Sequence, residues 1–370
     1  MLRPLPQAPA DLPESLRDVV EYRKSGLSLN HVVGCPLDCG YCVRHLFANY
    51  EMKQPHLVMA DDEAVGQLIK HWAFRAHVTP IQIFNRATDP FLPRVKEHVF
   101  AVLEDLDERG LTNHVLVITR WRVLPADIAR MEALKHIKLT ILVTWSGIAD
   151  PRVEPVRSAH AEASLRALAA HAVRTKTILY WRPLIAGLND TDLHLAQARA
   201  LAPLADATVF TGLFHRHEIR KHFREAGVPD LYDEVPRRKI LPREIEARVL
   251  AALEGHPIFR KTSCGVAFAH EVADFNGHFG LPDICDICPA HQVGLCAMAH
   301  KRPANDVVEN LALLAGLDPK SISIDDRRVE VADSREQQRY FIQHMLNYQV
   351  HDRGHPHLPQ RHGRAEVGWD

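Results

Sequence analysis

The 370-residue sequence lacks an excess of charge of either sign, because 45 Lys and Arg face 46 Asp and Glu. A protein that holds a long polyanion needs a large basic field, so this balance disfavours that class. The sequence also lacks any apolar run near the ~20 residues of a membrane span, and we expect no membrane partner. Its Pro-rich start has no apolar signal-peptide segment, so we expect a cytoplasmic protein.

Cysteine is scarce, and its seven copies fall into two groups. An odd number in a reducing compartment argues against a disulfide framework. The early group is Cys35, Cys39 and Cys42, and the late group is Cys264, Cys285, Cys288 and Cys296. Each group is a candidate metal site.

Strand-like and helix-like segments alternate between about residues 27 and 215. The predicted strands are 27–35, 79–87, 113–121, 138–146, 175–183 and 206–214, and the predicted helices between them are 61–76, 93–110, 124–136, 158–172 and 190–202. Helices of this length between strands indicate parallel βαβ units. Six units predict an α/β fold, a partial (β/α)6 TIM-like barrel, with functional residues at the carboxyl ends of its strands.

The alternation stops after about residue 215, and a C-terminal, mainly irregular and helical metal-binding extension is expected there. Further helices are predicted near 215–227, 242–255, 306–317 and 334–350, with a hairpin near 321–331. The predicted division is an N-terminal lead-in (1–26), the partial barrel (27–245), a late-cysteine cluster region (246–305) and a helical and hairpin extension (306–370).

The early cysteines form the motif C-P-L-D-C-G-Y-C, from Cys35 to Cys42, in a loop predicted to follow the first strand. Three thiolates so close together can bind three irons of a [4Fe–4S] cubane and leave the fourth iron open to another ligand. Structural zinc prefers four closed ligands, often as two C-x2-C pairs, and is the alternative here.

This motif resembles the C-x3-C-x-aromatic-C signature of the radical S-adenosylmethionine (SAM) superfamily, with Tyr41 in the aromatic position. The resemblance covers roughly residues 30–215 and is nearest to the spore photoproduct lyase-like branch. The elements similar to that branch, in order, are Thr88-Asp89-Pro90, Thr119-Arg120, Glu154-Pro155 and the segment 182–190. The stretch N-R-A-T at 85–88 differs from the Gly-Gly-Glu that the superfamily often has.

The resemblance implies that the early cysteines hold a catalytic [4Fe–4S] cluster with SAM at its open iron. It implies cleavage of SAM to a 5′-deoxyadenosyl radical, hydrogen abstraction from a substrate, and an electron donor such as flavodoxin or ferredoxin. It also places Tyr41 near the adenine, Arg120 at the SAM carboxylate, and hydroxyls near the ribose and methionine. The expected cofactor-binding residues are Tyr41, Arg120, Thr144, Ser146 and Arg182. A Thr or Ser at a strand end can equally be an ordinary structural residue, and Arg182 can serve a surface ion pair.

The late cysteines have the spacing C-x20-C-x2-C-x7-C and supply four thiolates, enough to close a metal site. An auxiliary [4Fe–4S] cluster is the leading interpretation, because Pro289 follows Cys288 as in many ferredoxin-type ligand runs. Structural zinc and the absence of any metal are the alternatives. The spacing differs from the SPASM pattern of peptide-modifying enzymes. A cluster here could bind substrate, relay an electron or donate sulfide.

Histidine is abundant, with 24 copies, and a group at His215, His217 and His222 follows the sixth predicted strand. Solvated or partly buried histidines are the ordinary interpretation. The alternative is a phosphate-binding edge that these residues form with Arg216, Arg220 and Lys221.

Three functions follow from these patterns. The leading one is a radical SAM enzyme acting on a small polar substrate, such as a nucleotide, a sugar or a natural-product precursor, because the neutral charge disfavours a long polyanion. The second is a radical SAM enzyme that modifies a nucleic-acid lesion or base, an analogy from the branch that the motifs resemble. The third is a non-catalytic metal-binding interaction protein, which the intact cysteine motif disfavours.

Overall fold

Three sheets carry the strands of this computed structural model, which describes residues 2–5, 12, 14–232 and 240–354. The strands are β1 (Arg3–Pro4), β2 (Val20–Arg23), β3 (Gly26–Leu29), β4 (Val32–Val33), β5 (His56–Leu57), β6 (Ile81–Ile83), β7 (His114–Thr119), β8 (Lys138–Trp145), β9 (Lys176–Leu184), β10 (Ala207–Gly212), β11 (Ile258–Phe259), β12 (Ser323–Ile324), β13 (Arg328–Val331) and β14 (Gln349–Asp352). The helices are α1 (Glu14–Arg17), α2 (Asp61–Lys70), α3 (Lys96–Glu108), α4 (Pro125–Ala133), α5 (Ala159–His171), α6 (Asp192–Leu201), α7 (His217–Glu225), α8 (Arg243–Ala252), α9 (Thr262–Ala269), α10 (Pro282–Cys285), α11 (Ala290–Ala299), α12 (Asn305–Leu314) and α13 (Glu336–Leu346).

The main sheet has eight strands in the order β11-β10-β9-β8-β7-β6-β3-β2. All neighbouring pairs from β3 to β11 are parallel, and only β2 runs antiparallel to its neighbour β3. The six predicted strands coincide with β3 and β6 to β10, so the α/β class with a large parallel sheet is confirmed. Closure of this sheet into a partial barrel stays a prediction.

Two strands of the main sheet escaped prediction. β11 has two residues, too few to show a periodic pattern. β2 is separated from β3 only by a tight turn, so the two together look like one lead-in segment. The predicted strand at 27–35 is also divided: β3 ends at Leu29, and β4 joins the small sheet β1-β5-β4. The early cysteine loop therefore begins after the chain has left the main sheet.

The main sheet is apolar on both faces, as expected for parallel strands covered on both sides. In β8, Ile141 and Val143 belong to the core shared with helices α2 to α6, whereas Leu142 points to the opposite face. The face to which Leu142 points is covered by α9, which packs on β9 and β10. Gly265 permits this contact, because a Cβ there would lie 2.5 Å from Cγ2 of Val209.

The C-terminal part adds the third sheet, β12-β13-β14. The predicted hairpin is present as β12 and β13, which pair antiparallel. The helix predicted at 334–350 is shorter, because Asn347 takes a left-handed conformation with φ 48° and the chain turns into β14. The tail beyond residue 354 lies outside the described residues. No described helix is long and apolar enough to cross a membrane. The predicted domain limits stay predictions.

Candidate functional site

A cavity of about 280 Å³ lies where the strands of the main sheet end. The loop after β4 contributes all three early cysteines to its wall. The other lining residues come from the loop after β6 and from the carboxyl ends of β7, β8, β9 and β10, with the residues that directly follow β7 and β10. The chemically distinctive lining residues are Cys35, Cys39, Tyr41, Cys42, Thr88, Asp89, Arg120, Thr144, Arg182 and Thr211. The structure thus brings the cysteine motif and four of the five predicted cofactor-binding residues to one space.

Tyr41, Arg120 and Glu154 form a buried hydrogen-bonded group beside Cys39. The Tyr41 hydroxyl donates to Glu154, and Nη1 of Arg120 donates to Oε2 of Glu154 at 3.3 Å and to the Tyr41 hydroxyl. The same Nη1 lies 3.3 Å from Sγ of Cys39. Arg120 therefore lines the cavity as predicted, but one of its nitrogens is already bound to a carboxylate. Glu154 was missed as a site residue, although its Glu-Pro element was visible in the sequence.

The hydrogen bonds of Asp89 connect the loop after β6 to the end of β7. Its carboxylate accepts hydrogen bonds from the Thr119 hydroxyl at 2.6 Å and from the backbone N–H of Arg120 at 2.8 Å and Phe91 at 3.0 Å. Burial raises the pKa of Asp89, against the opposing effect of these donors. These bonds fix the backbone from which Arg120 reaches the cysteine loop.

Three threonine hydroxyls at the cavity wall are buried and make no hydrogen bond within the described chain. They belong to Thr88, Thr144 and Thr211. A buried hydroxyl without a partner costs free energy, so three around one cavity suit a polar ligand that binds there. Thr144 was predicted as a cofactor contact, whereas Thr88 and Thr211 were not. Thr211 lies at a register shift between β9 and β10, where it stands opposite both Arg182 and Pro183, and no sequence periodicity reveals such an irregularity.

The early thiols are held in a buried setting. Burial raises the pKa of Cys35 and raises that of Cys39 well above its usual value, while the charge of Arg120 opposes the rise at Cys39. A cation that binds these thiols therefore replaces protons. Gly40 lets the loop fit, because a Cβ there would lie 2.5 Å from the Phe223 ring and 2.7 Å from the Arg152 carbonyl oxygen.

The two remaining predicted contacts differ in position, because Arg182 lines the cavity and Ser146 does not. Arg182 lines the cavity and donates from Nη1 to the Tyr180 hydroxyl at 3.0 Å, and it forms no ion pair with any residue that the structure describes. Ser146 is buried away from the cavity lining, and its hydroxyl accepts the backbone N–H of Ile148 at 3.2 Å. The structure thus gives Ser146 a structural role in its own loop.

The basic and histidine-rich segment after β10 forms α7, and Arg220, Lys221 and Arg224 of this segment have acidic partners. Arg220 and Arg224 both bind Asp230, at 2.6 Å and 2.7 Å. Lys221 lies 3.8 Å from Glu225 on the same helix. His222 packs against the rings of His45 and Tyr50. A phosphate-binding edge here stays a prediction.

The four late cysteines meet in a second, much smaller space. Cys264 lies on α9, Cys285 ends α10, Cys288 follows it, and Cys296 lies on α11, and all four line a cavity of about 10 Å³. Burial raises the pKa of Cys264 well above its usual value and that of Cys288 to about 12.

Asp274 and His278 complete this late site. Nδ1 of His278 lies 2.9 Å from Oδ2 of Asp274 and 3.7 Å from Sγ of Cys264. Ligand atoms of Cys264, Asp274 and His278 all lie within 4.8 Å of one another. The backbone N–H of Asp274 also donates to Sγ of Cys296 at 3.4 Å. Sequence spacing indicated the thiols but gave no sign of this carboxylate and imidazole.

No protein-family model and no curated protein matches this sequence. Among solved structures, spore photoproduct lyase complexed with dinucleoside spore photoproduct is similar at a TM-score of 0.48 and 11% identity, over 68% of this chain and 85% of that chain. A double mutant of spore photoproduct lyase with bound AdoMet and dinucleoside spore photoproduct gives a TM-score of 0.48 and 12% identity, over 69% of this chain and 85% of that chain. At this identity, the likeness extends no further than the fold.

Proposed function

We propose that this chain is a radical SAM enzyme whose [4Fe–4S] cluster is held by Cys35, Cys39 and Cys42. The observation that carries the proposal is the meeting of these three thiols, with no fourth cysteine among the described lining residues, in a cavity edged by partnerless hydroxyls. Three thiolates suit a cubane with one iron open to a further ligand, and a closed zinc site would want a fourth.

When bound, the cluster would deliver one electron to the SAM sulfonium, and the resulting 5′-deoxyadenosyl radical would abstract hydrogen from the substrate. The residues of the chain position and shield this chemistry. Arg120 places a positive charge 3.3 Å from Sγ of Cys39, which stabilises the thiolate form needed for iron binding. Thr88 and Thr144 offer hydroxyls to the polar groups of SAM. Phe84 and Ile118 in the wall limit access of water.

The late cysteines are proposed to hold an auxiliary [4Fe–4S] cluster, with structural zinc as the lesser alternative. Four thiols on three helices and their connections suit a closed site. If one thiol is released from the metal, the nearby Asp274 carboxylate and His278 imidazole are available as replacement ligands. Metal analysis distinguishes the two options, because a cluster adds iron and sulfide whereas the alternative adds one zinc.

The proposed substrate belongs to one of two classes, a small polar molecule or a nucleic-acid lesion or base. The small polar substrate rests on the near-neutral charge of the whole chain, which is a weak guide to one local cavity. The solved spore photoproduct lyases hold a dinucleoside lesion. A nucleic-acid lesion or base is therefore the substrate class to test first, ahead of the small metabolite that composition favoured. A flavodoxin or ferredoxin is the expected electron donor in either case.

The test is reductive SAM cleavage by the anaerobically reconstituted full chain. With dithionite present, we expect 5′-deoxyadenosine to form, and to form faster with the correct substrate. Parallel assays with damaged oligonucleotides and with free nucleotides would separate the two substrate classes. A chain that carries iron and sulfide but never cleaves SAM would instead be a metal-binding interaction protein, and the proposal would be wrong.

A further inference from the structure

A third cavity, of about 150 Å³, lies between the SAM cavity and the late cysteines. Opposite parts of the main sheet line it, because Lys24 and Ser25 belong to the turn between β2 and β3, whereas Tyr180 and Thr211 belong to β9 and β10. It shares Thr211 with the SAM cavity and Arg260 with the late site. A group bound here would therefore adjoin the proposed reaction space.

The charge of this third cavity is positive. Lys24, Arg260 and Lys261 line it, and none of its described lining residues is acidic. The Arg260 guanidinium already binds the carboxylates of Glu246 and Asp286. Lys24 makes no ion pair within the described chain and is only half buried, so its ammonium is available to a ligand.

The amino end of α9 also faces this cavity, through Thr262 and Ser263. The first backbone N–H groups of a helix have no partner inside the helix, and with the helix dipole they favour an anion. A second, independent sign of a ligand is Thr211, which is 7% exposed and whose hydroxyl makes no hydrogen bond within the described chain.

A hydrogen-bonded path joins this cavity to the SAM cavity. Nη1 of Arg182, in the SAM cavity wall, donates to the Tyr180 hydroxyl at 3.0 Å, and that hydroxyl shares a 3.0 Å hydrogen bond with Thr262. Tyr180 and Thr262 both line the third cavity. An anion bound at the amino end of α9 would therefore lie beside Tyr180 and Thr262. The hydrogen bonds of these two residues connect the third cavity to Arg182 in the wall of the SAM cavity.

We propose that this third cavity binds a phosphate group of the substrate, held by Lys24, the amino end of α9 and the Thr211 hydroxyl. The inference rests on the proposed function only in calling the ligand a substrate. The cavity of about 150 Å³ has room for one phosphate group and a few waters. A nucleotide monoester and a nucleic-acid phosphodiester both supply this chemistry.

The experiment measures binding of inorganic phosphate to the reconstituted full chain by calorimetry, without SAM or reductant. We expect saturable binding that Lys24→Gln weakens by roughly tenfold, since one charge-assisted hydrogen bond is lost. Ser25→Asp, which adds a negative charge to the cavity wall, should weaken binding further. Lys135→Gln, at an exposed position on the loop after α4, is the matched control and should bind phosphate as the unmodified chain does. Circular dichroism checks that each variant is folded.

A nucleoside, its 5′-monophosphate and a dinucleoside monophosphate, each competed against phosphate, identify the source. Displacement by the monophosphate alone indicates a monoester substrate, and displacement by the dinucleoside monophosphate indicates a nucleic-acid backbone. Absence of phosphate binding, or equal binding by the unmodified chain, Lys24→Gln and Ser25→Asp, overturns the inference. Substrate-free SAM cleavage by the unmodified chain is assayed separately. If phosphate binding depends on Lys24 but SAM is never cleaved, the anion site stands and the proposed function fails.

Discussion

The two cysteine sites share buried thiols but differ in what surrounds them. The early site lies on a loop beside a cavity of about 280 Å³, next to the Arg120 cation and three partnerless hydroxyls. The late site encloses about 10 Å³ between helices, next to the Asp274–His278 pair. Three thiols beside open space suit a site that binds a further molecule, whereas four thiols around a small space suit a closed metal centre. Ligand number and free volume together thus predict different roles for identical side chains.

The largest expected effect separates the two sites by cysteine removal. Cys39→Ala should abolish SAM cleavage, because two remaining thiolates cannot hold the open cluster. Cys288→Ala should lose about four irons if the late site holds a [4Fe–4S] cluster, yet retain SAM cleavage in the absence of substrate. Anaerobic iron, sulfide and zinc analysis with a 5′-deoxyadenosine assay measures both. Loss of SAM cleavage in a folded Cys288→Ala that keeps its early cluster would remove the functional distinction.

The next effect concerns the carboxylate behind the early loop. Glu154→Gln removes the charge that binds Arg120 and Tyr41, so the guanidinium loses its fixed position beside Cys39. We expect SAM affinity to fall roughly tenfold to a hundredfold, the size of a lost hydrogen bond to a charged group. Equilibrium binding of SAM to the reconstituted protein measures it. Glu162→Gln, on α5, is the matched control, and an equal loss in both variants would count against a specific role.

The next prediction has a smaller expected effect and tests the threonine hydroxyls that make no hydrogen bond. It expects opposite changes in stability without ligand and in SAM affinity. Thr144→Val removes a buried hydroxyl that makes no hydrogen bond in the described chain. The free energy of unfolding without ligand should stay equal or rise by about 1 kcal/mol, because no bond is lost and a desolvated group disappears. SAM affinity should nevertheless fall by roughly tenfold. Ser146→Ala, outside the cavity lining, should leave SAM affinity unchanged, and weaker binding there would restore Ser146 as a contact.

The smallest effect is the part of the pH dependence of stability that comes from His344 on α13. His344 is buried between the Tyr22 hydroxyl and the Asn276 side chain, at 2.9 Å and 2.8 Å, and burial lowers its pKa to about 3. Between that value and the ordinary pKa of about 6.5, the unfolded chain binds a proton that the folded chain does not. Stability should therefore fall as pH decreases from 6.5, by at most about 1.4 kcal/mol per pH unit from this residue.

Denaturant unfolding at pH 7 and pH 5 measures this dependence. His344→Gln keeps a hydrogen-bonding side chain but removes the titrating ring, so its stability should change less between the two pH values. His136→Gln, whose half-exposed ring lies on the loop after α4, provides the comparison. Equal pH dependence in the unmodified chain and His344→Gln would assign the acid sensitivity to other groups.

The sequence predicted what depends on local pattern and missed what depends on the approach of distant segments. The spacing of the early cysteines, with Tyr41, predicted a site at the carboxyl ends of parallel strands, and all three thiols line the cavity found there. Glu154 and Tyr41 are 113 positions apart, and only folding places them together. Asp274 and His278 carry no motif, because their importance depends on Cys264 packing beside them. Ser146 shows the converse, since its position at a strand end suited a ligand contact but its hydroxyl bonds its own loop.

The register shift opposite Thr211 has a further consequence for how β9 can change. Two residues of β9, Arg182 and Pro183, stand opposite the single Thr211 of β10, so the additional residue belongs to β9. Successive side chains along a strand alternate between its faces. Deleting one residue of β9 at this point would therefore reverse the faces of the residues that follow, including Leu184, while leaving Trp181 in place. Arg182 and Pro183 line one cavity and Thr211 borders two, so such a change in strand length would rebuild the wall between them. A point substitution changes what this wall binds, whereas an insertion or deletion changes which side chains form it.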